Sequence, residues 1–139
     1  SSVAGESWNS TSDVVLVEGA GGLMSPLGEE EYVADLAYDL GFPLVVVARN
    51  ALGTINHVLQ TLITAAAFRD GLDVAGIVLN SSTEVTDESA RQNAAEIRRR
   101  AGAPLLAELG FRALDFSPDV DWHALADVPA RAWHKAIEH

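Results

Sequence analysis

The sequence predicts a three-layer α/β/α fold around a mostly parallel sheet, and three observations lead there. Short apolar runs rich in β-branched residues alternate four times with stretches of helical periodicity. Glycine or proline marks most junctions, and the apolar runs are continuous rather than alternating. Continuous runs suit strands buried on both faces, and strand–helix alternation suits parallel pairing through crossover helices.

Residues 14–17 form the first apolar run, expected to be a strand buried on both faces and ending at Glu18. Glycine and proline punctuate residues 19–28, a loop, and residues 32–40 then carry apolar side chains at helical spacing up to Gly41. Pro43 opens a second buried strand, 44–48, after which Thr54 is placed to cap a long helix reaching about residue 70, closed by Gly71. The third run, 74–79, ends at Asn80, and a polar stretch leads into a charged helix over 88–101, followed by Gly102. The fourth strand is expected over 104–109. A last helix falls within 122–137, interrupted by Pro129.

A chain of 139 residues, 48% of them hydrophobic, can bury one ordinary core. One domain is expected over 13–139, preceded by a flexible, Ser-rich tail over 1–12. There are no cysteines, so packing must hold the fold, and a cytoplasmic address fits. The longest apolar runs fall far short of the roughly 20 residues that cross a bilayer. A net charge of -11 argues against general nucleic-acid binding, which draws its affinity from Lys and Arg. An anion would instead need a local cradle of backbone amides, as at a helix start.

In a parallel α/β sheet, ligands collect beyond the C-terminal strand ends, which here carry Glu18, Asn50 and Asn80. Glu18 precedes Gly19, Ala20, Gly21 and Gly22. A carboxylate there can serve a hard cation such as Mg²⁺, and glycines let the backbone approach a ligand closely. Taken alone, the same pattern is also a solvated Glu before a turn. Gly53, Thr54, Ile55 and Asn56 open a helix whose first amides can receive an anion, or are simply capped. His57, one turn in, reads as a structural hydrogen-bonding residue. Asn80 can read a purine edge or form a turn. Arg98, Arg99 and Arg100 sit in the last turn of a helix, where cations favour the dipole, and read as structural.

Read in order, these blocks resemble the C-terminal part of the dethiobiotin synthetase family, and more distantly the cobyrinic acid amidotransferases on the same P-loop NTPase-like scaffold. The carriers are residues 15–22 with Ser25, Pro26 and Leu27, then Gly41, Phe42 and Pro43, residues 52–57, residues 75–80, and residues 103–106. The resemblance implies an ATP-dependent ring-closing ligase that converts 7,8-diaminononanoate and CO₂ to dethiobiotin. It implies Glu18 as the Mg²⁺ ligand, with Gly21 and Gly22 beside the reacting groups and Gly19 and Ala20 beside the phosphates of ATP. Asn80 and Gly110 would lie on the adenine side. The backbone of Gly53, Thr54, Ile55 and Asn56 would hold the substrate carboxylate across a homodimer interface.

The 139 residues contain no G-x-x-x-x-G-K-[ST] motif, and the single lysine is Lys135, so the chain by itself is expected to bind MgATP poorly. Gly110 and Phe111 stand where the family often has proline. The alternative is a non-catalytic dimerisation or regulatory domain that keeps the scaffold.

Overall fold

The computed structural model describes residues 14–84 and 88–127. In chain order these form α1 (Val33–Leu40), β1 (Leu44–Arg49), α2 (Thr54–Ala67), β2 (Val74–Asn80), α3 (Glu88–Arg100), β3 (Leu105–Leu109) and α4 (Trp122–Asp127). The strands make one parallel sheet in the order β1-β2-β3, with Val46 opposite Ile77 and Leu79 opposite Glu108. The expected fold class, an α/β sheet with flanking helices, is what the chain adopts.

Helix α1 starts where the Asp35 carboxylate accepts the Tyr32 amide at 2.9 Å, and it stops at Gly41, whose left-handed φ of 64° lets its N–H return to the Ala37 carbonyl. Strand β2 is the centre of the sheet, and all its interior residues are buried. Ile77 and Leu79 point into the main core with Val58 of α2 and with Ala94 and Ile97 of α3. That core draws on a stripe at helical spacing in α3, Ala90, Ala94 and Ile97, each buried. A second cluster, Ala34, Ala65 and Leu72, joins α1 to the end of α2.

Four sequence expectations are corrected. Residues 14–17 belong to none of the strands and are exposed, Leu16 to 92%. An apolar run becomes a strand only where a neighbour offers a ladder, and among the described residues none does. Strand β1 is half-buried rather than buried on both faces, because it lies at the sheet edge with Val47 66% exposed. Gly53, not Thr54, caps α2 at a φ of 91°, and Thr54 is the first helical residue, its side chain buried. The helix stops at Ala67 rather than near 70, since Phe68 is extended and Arg69 is left-handed. The tail over 1–12, Pro129 and Lys135 lie outside the described residues.

The three arginines at the end of α3 each have a carboxylate partner among the described residues. Arg99 and Arg100 pair with Glu96, and Arg98 pairs with Glu108 of β3.

Candidate functional site

The loop after Glu18 takes its shape from two left-handed glycines, Gly21 at φ 90° and Gly22 at φ 102°. L side chains rarely adopt such angles, and a Cβ on Gly21 would also collide with Ser25 Oγ. The loop is then tied to the start of α1, Val33 N–H to the Ser25 carbonyl at 2.9 Å and Ala34 N–H to the Leu23 carbonyl at 2.8 Å. A Cβ on Gly19 would lie 2.8 Å from Val33 Cγ1, so this stretch of backbone rests directly against α1.

The loop faces the side of α2. Gly21, Gly22 and Met24 on one wall and His57, Gln60 and Thr61 on the other enclose a cleft of about 250 Å³. His57 thus borders the glycine turn as well as serving the helix, where its carbonyl accepts Thr61 Oγ1 at 2.8 Å.

The start of α2 opens elsewhere. Gly53, Ile55 and Asn56 line a second, larger groove of about 540 Å³, closed on its far side by α3 residues that include Asn93, Glu96 and Arg100. The Thr54 N–H turns back to the Ala51 carbonyl at 3.2 Å, and His57 N–H makes the first bond to Gly53 O at 3.1 Å. The N–H groups of Ile55 and Asn56 find no acceptor among the described residues, and no side chain caps them. Of the four amides singled out in the sequence, only that of Thr54 has an acceptor; the Gly53 N–H also finds none among the described residues, and with the Ile55 and Asn56 pair it is free to receive an anion.

The candidates therefore do not converge on one cavity. Gly21 and Gly22 line the first cleft, and Gly53, Ile55 and Asn56 line the second. Glu18 and Ala20 are exposed, and Glu18 follows an exposed segment outside every strand rather than the end of a buried strand. Asn80 ends β2, where its carbonyl accepts the Asn50 N–H at 2.8 Å, and Gly110 follows β3 in an exposed turn. Among the described residues no three His, Asp or Glu side chains gather as a metal cluster. Mg²⁺ requires only one or two carboxylates when waters and phosphate oxygens complete its shell, and the solvent-facing Glu18 can serve as one of them.

Two residues with polar roles were missed in the sequence. Asn93 is only 3% exposed, and its side-chain amide donates to Asn50 Oδ1 at 2.9 Å and to the Ala51 carbonyl at 3.2 Å. Ser81, whose N–H bonds to Leu109 O at 2.9 Å, receives the Asn50 amide on its hydroxyl at 3.5 Å. The signal for Asn93 was its place within the apolar stripe of α3, beside Ala94 and one turn from Ala90 and Ile97, where a polar side chain must find partners.

No described helix is long and apolar enough to cross a membrane.

The family model described as an AAA domain matches residues 3–114. A protein named ATP-dependent dethiobiotin synthetase BioD from Anaeromyxobacter sp. (strain Fw109-5) is 52% identical over 98 residues, 70% of this chain and 43% of its own length. The protein of that name from Anaeromyxobacter dehalogenans (strain 2CP-C) is 47% identical over 112 residues, 81% of this chain and 47% of its own. Another, from Bacillus cereus (strain B4264), is 42% identical over 105 residues, 76% of this chain and 43% of its own. The chain thus spans less than half the length of these relatives. With the family model matched from residue 3 to residue 114, the chain belongs to the AAA domain family, and across most of its length it is similar to proteins named ATP-dependent dethiobiotin synthetase.

Proposed function

We propose that these residues form the C-terminal part of an ATP-dependent ligase that closes the ring of dethiobiotin from 7,8-diaminononanoate and CO₂, releasing ADP and phosphate. What carries this proposal is the open pair of amides on Ile55 and Asn56 at the start of α2, a cradle for the carboxylate of the substrate. The kinship to proteins named ATP-dependent dethiobiotin synthetase supports the reaction class.

Each group has a task. Gly21 and Gly22, which present bare backbone to the first cleft, let the reacting carbamate and the transferring phosphoryl group approach the chain without a side chain between them. Gly19 and Ala20 lie beside the phosphates. Asn80 and Gly110, at the ends of β2 and β3, border the nucleotide base. Glu18 would hold Mg²⁺, which when bound would neutralise charge on the transferring phosphoryl group. In such a transfer the protein positions and neutralises, with little covalent work of its own. The substrate carboxylate, far from the reacting amines, is gripped by the α2 start of a second subunit, so the working unit is a cytoplasmic homodimer.

The test is to incubate the purified chain with 7,8-diaminononanoate, bicarbonate and MgATP, alone and with the N-terminal half of a relative added. ADP and dethiobiotin are followed by mass spectrometry. Product is expected only in the mixture, because no lysine of a P-loop motif lies within these residues. Product in neither arm, together with no binding of diaminononanoate, would sink the proposal.

A further inference from the structure

The turn that sets up the α2 start has little to hold it. Leu52 is 83% exposed and Gly53 has no side chain, so packing does little to fix the path between Ala51 and the buried Thr54. Polar contacts hold it. The Ala51 carbonyl is their pivot, accepting the Thr54 N–H from one side and the Asn93 side-chain amide from the other, each at 3.2 Å. The same Asn93 amide holds Asn50 through its Oδ1, and the Asn50 N–H is anchored on Asn80 O. A side chain of α3, 97% withdrawn from solvent, therefore grips two successive residues of a loop between β1 and α2.

We propose that Asn93 is the positioning residue of the α2 start: it clamps Asn50 and Ala51 so that Gly53 keeps its left-handed turn and the Ile55 and Asn56 amides stay aligned for a ligand carboxylate. The ligand half of this statement rests on the carboxylate role proposed for those amides. The clamp itself does not. Asn93 reaches no open amide directly and acts only through the turn. Its position is demanding, because the clamp needs N–H donors at a buried site. Aspartate has the right size and shape but offers only acceptors when ionised, and leucine offers neither.

Asn93→Asp and Asn93→Leu in the full chain test the clamp, with retained dispersion of the amide spectrum as the check on folding. The first readout needs no ligand. Exchange of the Thr54 amide should accelerate by about tenfold in both variants, as expected for loss of one net hydrogen bond, while amides in the middle of α2, such as Leu62, keep their protection relative to the global stability. The second readout is titration with 7,8-diaminononanoate, following the Ile55 and Asn56 resonances. Wild type should shift saturably, and both variants should bind about tenfold more weakly. A folded variant with unchanged Thr54 exchange and unchanged affinity overturns the proposal. If either variant fails to fold, the other decides. If wild type shows no ligand shift while Thr54 exchange still accelerates, the carboxylate role falls and the clamp stands. If wild type binds and the variants bind equally well, the ligand half of the proposal falls alone.

Discussion

Gly76, in the middle of the central strand, faces Leu106 of β3 so closely that a Cβ at position 76 would collide with Leu106 Cγ and lie 2.8 Å from both Leu106 Cδ1 and the Pro104 carbonyl oxygen. One of those contacts is backbone, held by the bond from Ile77 N–H to Pro104 O at 2.8 Å, so it cannot step aside without opening the sheet. The absence of a side chain at 76 is what lets β2 and β3 close against each other here.

Gly76→Ala is therefore expected to destabilise the chain by about 1–3 kcal/mol through overpacking. The shift should appear as a lower urea midpoint at unchanged slope. A midpoint at the wild-type value would mean that Leu106 repacks freely.

Gly53→Ala separates strain from space. A Cβ there would meet only His57 Cε1 at an ordinary 3.8 Å, so the penalty comes from the φ of 91°. A loss of about 1–2 kcal/mol is expected, with Gly53→Asn milder because Asn tolerates the left-handed region better. Thermal unfolding of the two variants side by side checks the order. Equal losses would point to sterics instead.

The strands over 44–48 and 74–79 were legible because β-branched apolar runs have few other places to go, and each ended within a residue or two of its expected bound. Residues 14–17 have the same composition yet form no ladder, since pairing depends on a neighbour that a local pattern does not contain. The α2 cap was misassigned because Gly-Thr serves equally as a hydroxyl cap or as a left-handed glycine, and only the backbone angle decides. The glycine turn and the α2 start were both found as candidates. Their separation into two clefts depends on how α2 and α3 pack; the stripe of α3 says that Asn93 needs a partner, but that the partner is Asn50, some 43 positions earlier, is not written in local spacing.

The Glu96 carboxyl lies below the usual carboxylate range, first because Arg100 donates to it at 2.6 Å and then because Arg99 does so at 2.7 Å. A depressed folded-state value means that Glu96 contributes stability above its unfolded pKa and loses that contribution as pH falls through the lower folded value. Glu96 is half-buried and both its arginine partners are exposed, so the effect on stability is small and screened by salt. Carboxyl titration by NMR should find Glu96 below the usual glutamate range, with the depression shrinking in high salt or in Arg100→Ala. A Glu96 titration unchanged by salt and by Arg100→Ala would remove the ion pair from the solution structure.

The sharpest test of chemistry is Glu18→Gln. Glu18 lies in an exposed segment outside every helix and strand, so the substitution should leave stability within about 0.5 kcal/mol of wild type. Any functional loss then reports on function rather than folding, an advantage that a carboxylate buried at a strand end would not have offered. Gln keeps the size and one acceptor oxygen but removes the charge that a hard cation selects. In the dethiobiotin-forming assembly proposed above, turnover should fall by more than about tenfold, since even the outer partners of metal ligands lower activity by 10–100-fold when changed. The Mg²⁺ concentration giving half-maximal rate should rise, while the binding of 7,8-diaminononanoate, read at the Ile55 and Asn56 amides, stays put. Wild-type turnover at limiting Mg²⁺ would take the metal role away from Glu18. A parallel loss of diaminononanoate binding would place Glu18 against the substrate instead.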